Sequence, residues 1–212
     1  MELMAMMNPA HFKALKARHV AGILLAAWVV MTGCSPAVTG SKLTRPTADA
    51  GAIRPGLAVL YFDDFYKSIY TMPSGKTAVR DGKPGPPIPF LNHRFGTGPV
   101  FGSGKMQGVG LQLTGFINFA VPGKYLFKAQ SNDGIQIFIQ DKMVINDPYV
   151  HSDRFSAIAT VEVDRSGWYP FKALYFQRKG TAMIELYWQA PGETEFRIVP
   201  AAAFGHVPAA PY

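Results

Sequence analysis

Strict two-residue alternation, broken at short intervals by turn-forming residues, is the feature that most narrows what this chain can fold into. In GIQIFIQ, Ile135, Ile137 and Ile139 fall on one side while Gln136, Phe138 and Gln140 fall on the other; in MIELYW, Ile184, Leu186 and Trp188 oppose Met183, Glu185 and Tyr187. A side-chain period of two belongs to an extended strand, because successive Cβ atoms leave a pleated backbone on opposite faces. Similar patterns predict strands over 56–62, 108–120, 124–130, 156–163, 168–177 and 195–199. Between them stand Pro122-Gly123, Asn132-Asp133-Gly134, Asp141, Arg165-Ser166-Gly167, Lys179-Gly180 and Pro191-Gly192, residues that supply positive φ or a preset bend. Short strands so spaced predict an all-β fold, an antiparallel β-sandwich or barrel. At 212 residues and 48% hydrophobic content, the chain has material for one packed domain.

The segment from Pro73 to Gly104 departs from the pattern. It holds five prolines between residues 84 and 99, and reads either as a functional or packing loop over a sheet end or as an irregular strand pair covering an edge. Formal charge is +7, and removing Lys13, Lys16, Arg18 and Glu2 with the first 33 residues leaves +5. Lys76, Lys83, Lys124, Lys128 and Arg165 are spread without a dense block, and the chain has no recognition helix or RNA-binding motif, so no nucleic-acid partner is expected.

Residues 11–33 run from a basic stretch without acids, through an apolar run from Ala21 to Met31, to small residues directly before Cys34. This is a secretory signal layout, and the apolar run is shorter than the roughly 20 residues of a permanent span. A cysteine at an arbitrary position is usually a small buried hydrophobe; this one, the sole cysteine, stands where the apolar run ends. Met31-Thr32-Gly33-Cys34 resembles the bacterial lipobox, with Met at the usual Leu position. The resemblance implies a bacterial lipoprotein, cut before Cys34 and anchored to the membrane by two or three acyl chains (palmitate among them), enough hydrophobic signals for stable anchoring. Ser35 in place of Asp implies, by resemblance to enterobacterial sorting, the outer membrane of the cell envelope. Ser35 to Pro55 lacks aromatic residues and predicts a flexible tether with a root-mean-square span of about 25 Å. The expected organisation is a signal peptide over 1–33, a lipidated terminus and tether over 34–55, a β domain over 56–206 and a tail over 207–212.

Within that β domain, TGFINFAVPGKYLFKAQSNDGIQIFIQDKMVIND and WYPFKALYFQRKGTAMIELYWQAPG, with GLAVLYF as an opening strand, resemble in order and spacing the protective-antigen-type domain of bacterial toxins, glycosidases, yeast flocculins and adhesins. The resemblance implies a β-sandwich. In sugar-binding members two adjacent acids, joined by a cis peptide, hold a calcium ion that ligates sugar hydroxyls. The resemblance therefore implies a calcium or ligand site at Asn132 and Asp133, with Gln177 from a second loop. Asn132 replaces one carboxylate, and Arg178 and Lys179 bring positive charge to the second loop, both unfavourable to calcium. Read from the residues alone, Asn132-Asp133-Gly134 is a tight turn tolerating left-handed geometry.

Trp188 and Tyr175 could stack on sugars, but at period two within strands they read as core. Asn146-Asp147 and the Gln140-Asp141 turn read as structural, and Asp63-Asp64 as a solvated strand end. His151-Ser152-Asp153 supplies the residue types of a catalytic triad, yet neighbours in an extended segment point apart. His93 and His206 have no second histidine at metal-ligand spacing. The expectation is no enzyme. Two functional readings remain: a tethered, non-catalytic glycan-binding module, or a structural or protein-binding lipoprotein that has lost calcium-dependent sugar binding and uses the Pro73–Gly104 segment as its contact surface.

Overall fold

The computed structural model describes residues 40–43 and 50–208. The expected signal peptide, Cys34, most of the expected tether and the last four residues of the expected tail lie outside the described residues. The elements are β1 (Ser41–Leu43), β2 (Arg54–Pro55), β3 (Leu57–Asp63), α1 (Gly75–Asp81), β4 (Lys83–Ile88), β5 (Asn92–Gly96), β6 (Val109–Phe119), β7 (Gly123–Asn132), β8 (Ile135–Ile139), β9 (Lys142–Asp147), β10 (Arg154–Phe155), β11 (Ala159–Val163), β12 (Gly167–Gln177), β13 (Ala182–Gln189), β14 (Arg197–Ile198) and β15 (Phe204–His206). Each alternating segment forms a strand, although the one expected over 156–163 begins only at Ala159 and the last shrinks to Arg197–Ile198.

Two sheets pack into a sandwich. One runs β1-β11-β7-β13-β14, with β10 on β7 and β5 on β13; the other runs β2-β15-β6-β12-β8-β9, with β3 on β6 and β4 on β3. All pairings are antiparallel except β1 with β11. Inward positions of β6 and β12 (Leu111, Leu113, Phe119, Tyr169, Ala173) meet those of β7 and β13 (Tyr125, Phe127, Ile184, Leu186), all buried. Phe119 is a hub, its ring 4.7 Å from that of Tyr125, 5.5 Å from Tyr169 and 6.2 Å from Trp188. Edge-to-face and offset arrangements such as these satisfy the ring quadrupoles while burying large apolar areas.

The proline-rich excursion covers edges. Pro84, Pro86 and Pro87 lie in β4, which pairs only with β3; a strand bonded on one side tolerates residues that cannot donate. β5 adds to β13, and its Arg94 forms a bidentate pair with Glu185, 2.7 and 2.8 Å, so that Glu185 is buried although it faces outward from the sheet. The hairpin β8–β9 turns at Gln140 and Asp141, whose φ values of 51° and 61° give the two-residue turn with positive φ at both centres that matches strand twist.

The tether expectation fails at two places. Ser41–Leu43 pairs in parallel with β11, and Leu43 is fully buried; Arg54–Pro55 pairs with β15. The composition of 35–55 hid this because one apolar side chain in a polar run carries no period, while the free edge of β11 offers both hydrogen bonds and a slot. Leu43→Ala is therefore expected to destabilise the domain by about 3 kcal/mol, as a truncated core leucine does. Urea unfolding measures it, and an unchanged midpoint would show that the strand is not docked.

Candidate functional site

At the end of β7 the chain makes a cis peptide between Asn132 and Asp133 and enters β8 two residues later. The left-handed turn expected there is absent: among the described residues positive φ is confined to other positions. Asn132 and Asp133 are instead buried, at 7% and 3% exposure. Glycine is required at 134, where a Cβ would come within 2.6 Å of the Phe176 ring and 2.8 Å of the Pro148 carbonyl.

The Asp133 carboxylate joins two loops. The backbone N–H of His151, in the loop after β9, donates to its Oδ1 at 3.2 Å, and that of Arg178, in the loop after β12, donates to its Oδ2 at 2.7 Å. Burial raises the pKa of Asp133, while these two N–H groups and the nearby Arg178 charge act in the opposite direction. Asn132 donates from Nδ2 to Asp153 Oδ1 at 2.8 Å and to Thr181 Oγ1 at 3.2 Å, and its carbonyl accepts from Tyr175 Oη at 2.6 Å. Tyr175 is thus core, as its period implied, and burial pushes its hydroxyl pKa far above the ordinary value.

Around this pair lie three buried side-chain polar atoms with no hydrogen-bond partner, and they are the ones found among the described residues: His151 Nε2, Gln177 Oε1 and Arg178 Nε. His151 Nε2 stands 3.3 Å from an Asp147 carboxylate oxygen, close enough for an ion pair but outside hydrogen-bond geometry. Asp147 is committed to Arg154, which grips both its oxygens, and Asn146 accepts from Gln136 Nε2 at 2.7 Å. Gln177 is fully buried and spends its Nε2 on the Gly180 carbonyl at 3.2 Å. Tyr149, two residues before His151, and Tyr70 are 59% and 61% exposed, their rings edge-to-face at 6.1 Å.

The family model of the PA14 domain matches residues 54–201. This chain belongs to the PA14 domain family. No curated protein sequence matches it. Among solved structures, this PA14 domain is similar to an anti-sigma factor domain-containing protein from Clostridium clariflavum (18% identity, TM-score 0.61, 75% of this chain and 49% of that one). It spans about half the length of that protein and of a second of the same description. It is also similar to the A domain of epithelial adhesin 9 from Candida glabrata in complex with Galb1-4GlcNAc (9% identity, TM-score 0.62, 79% and 96% covered), and to a PA14 sugar-binding domain from an RTX adhesin (16% identity, TM-score 0.51, 72% and 98% covered). At these identities the likeness is one of fold.

The calcium implied for the sugar-binding members can be tested on the donors present. Both Asp133 oxygens already accept backbone N–H groups, and the amide nitrogen of Asn132 faces the Asp153 carboxylate. Among the described residues no three acidic, histidine or cysteine side chains are grouped to hold a metal. Arg178, half-buried, contributes positive charge at the same point. This donor set does not fit a calcium ion, which takes six to eight oxygens.

Of the predicted site residues, Asn132 and Asp133 stand at the end of β7, and Gln177 ends β12 one residue before the Arg178 N–H that Asp133 accepts. Sequence reasoning did not bring His151, Asp153 and Thr181 to this pair, because they come from loops that carry no periodic signal. His151, Ser152 and Asp153 form no relay: the imidazole Nδ1 lies 2.8 Å from the Ser152 carbonyl, not its hydroxyl. The remaining candidates lie elsewhere. Asp63 pairs with Lys83 at 2.8 Å and Lys105 at 3.2 Å, His93 stacks among Phe90, Phe95 and Phe101, and His206 Nδ1 lies 2.9 Å from the Gly56 carbonyl. Trp188 packs on Phe119, Tyr125 and Phe127 as a core residue.

Asp133→Ala would leave the His151 and Arg178 N–H groups unpaired and release both loops. We expect a loss of about 3 kcal/mol, with hydrogen exchange accelerating at 149–153 and 178–181 before the rest of the domain. Uniform exchange across the sandwich would contradict the pinning role.

Proposed function

We propose that this protein is a non-catalytic module that binds glycan at the loop end around Asp133, held at the cell envelope by lipid on Cys34. The observation that carries the binding reading is that the segments meeting Asp133 hold three buried side-chain atoms without a hydrogen-bond partner, Gln177 Oε1, Arg178 Nε and His151 Nε2, the last 3.3 Å from Asp147. One is an acceptor, one a donor, and an imidazole nitrogen is either. Buried polar groups of both kinds are unfavourable until matched. A sugar hydroxyl donates and accepts at once, so a pair of neighbouring hydroxyls satisfies a mixed set of this kind. Tyr149 and Tyr70 supply exposed aromatic surface of the sort that packs against the apolar face of a pyranose. The sugar-bound and sugar-binding PA14 domains among its structural neighbours support the same substrate class.

The envelope reading rests on the sequence: the signal layout, the lipobox-like Met31-Thr32-Gly33-Cys34 and the serine after it, which favours the outer membrane. No described helix is long and apolar enough to cross a membrane.

A glycan array probed with the whole chain tests the binding reading, and a blank array defeats it. On the best ligand, Tyr149→Ala is expected to weaken binding about tenfold, the loss of one stacked ring, without lowering thermal stability. For the anchor, Cys34→Ala is expected to abolish acyl labelling and move the chain out of the detergent phase; retention in that phase would point to an uncleaved apolar helix instead.

A further inference from the structure

Resting on the glycan-binding reading of this site, we infer that the domain engages its ligand without a divalent cation, with Arg178, whose backbone N–H holds the Asp133 carboxylate, as the cationic residue of the site. Four observations converge on this. The Asp133 carboxylate is the natural anchor for a cation, yet each of its oxygens accepts a main-chain N–H, from His151 and Arg178. Those two N–H groups already supply the positive dipoles that a metal would bring, so the loops are closed by the protein itself.

Asn132 excludes an ion in a different way. Its Nδ2 donates to Asp153 Oδ1 at 2.8 Å, an orientation fixed by chemistry because the reversed amide would set its oxygen against a carboxylate. One oxygen of the nearby Asp153 carboxylate is thereby taken by an amide donor. The unpartnered atoms point the same way. Gln177 Oε1 alone could ligate calcium; Arg178 Nε belongs to a group that carries no lone pair for a metal and repels it. A ligand hydroxyl, by contrast, can accept from a guanidinium N–H or donate to an amide oxygen.

Arg178 is moreover separable from the scaffold. The bond that pins its loop comes from its backbone N–H, which any non-proline residue retains. Substitution of the side chain therefore tests recognition with the Asp133 anchor intact.

The experiment uses the full chain purified in detergent. Thermal unfolding in calcium chloride and in EDTA is expected to give the same Tm, and calorimetric titration with calcium chloride no saturable heat; a calcium-dependent rise in Tm or a saturable isotherm overturns the inference. Glycan binding on the array is expected to survive EDTA, and a signal that EDTA removes overturns it equally. Arg178→Gln is expected to weaken glycan binding at least tenfold with Tm unchanged, whereas wild-type affinity in that variant overturns the role given to the guanidinium. A blank array under every condition defeats the glycan reading itself, and the calcium titration then still decides whether the site takes an ion.

Discussion

The eleven-residue antiparallel ladder between β6 and β12 is the constraint on which the rest of the molecule depends, because it fixes both the core and the site in one register. Gly167 opposes Phe119 at one end and Gln177 opposes Val109 at the other, so a slip of one residue would turn Tyr169, Phe171, Ala173 and Tyr175 away from the core. It would also move Gln177 and Arg178 away from Asp133. Gly108 N–H donates to the Arg178 carbonyl just beyond the ladder, so the loop that follows β12 leaves the sheet already held by its neighbour. The proposed site is thus an extension of strand register, with the loop residues following the last rungs.

The second determining feature is a buried carboxylate used as a fastener. Placing Asp133 at 3% exposure carries a desolvation penalty, visible in its raised pKa, and the two main-chain donors offset that penalty while joining loops that no strand connects. Stability contributed by a group with a raised carboxyl pKa is complete below its unfolded value and declines as pH rises through the folded one. The charge at neutral pH is therefore a cost to the fold, retained at a position that also organises the site. Tyr175 sits beneath it with its hydroxyl on the Asn132 carbonyl, so the aromatic core and the polar cluster are in direct contact.

The docked strand at Ser41–Leu43 changes the geometry expected of an anchored domain. With Lys42 paired to Asp164 and Leu43 in the core, the sandwich is continuous with a strand that lies only a few residues after Cys34 in sequence. The flexible span of about 21 residues that composition suggested is not available as a whole, because part of it is bonded along β11.

Much of this was legible beforehand. Alternation in GIQIFIQ and MIELYW fixed strands and inward faces, since a period of two has one structural meaning, and the proline and glycine positions separated them. The order of those strands carried the PA14 resemblance, and with it Asn132, Asp133 and Gln177. Legibility stopped where the determinants were contacts between distant segments. Nothing local to Leu43 announces a free edge on β11, and nothing local to His151, Asp153 or Thr181 announces the carboxylate and amide they meet. The sequence by itself determined the strands, their faces and the class of fold, because those depend on neighbours along the chain. Only the tertiary structure decided that Asn132 and Asp133 are buried rather than an open turn, and that donors from two loops hold the Asp133 carboxylate, because hydrogen bonds between remote loops leave no period in a sequence.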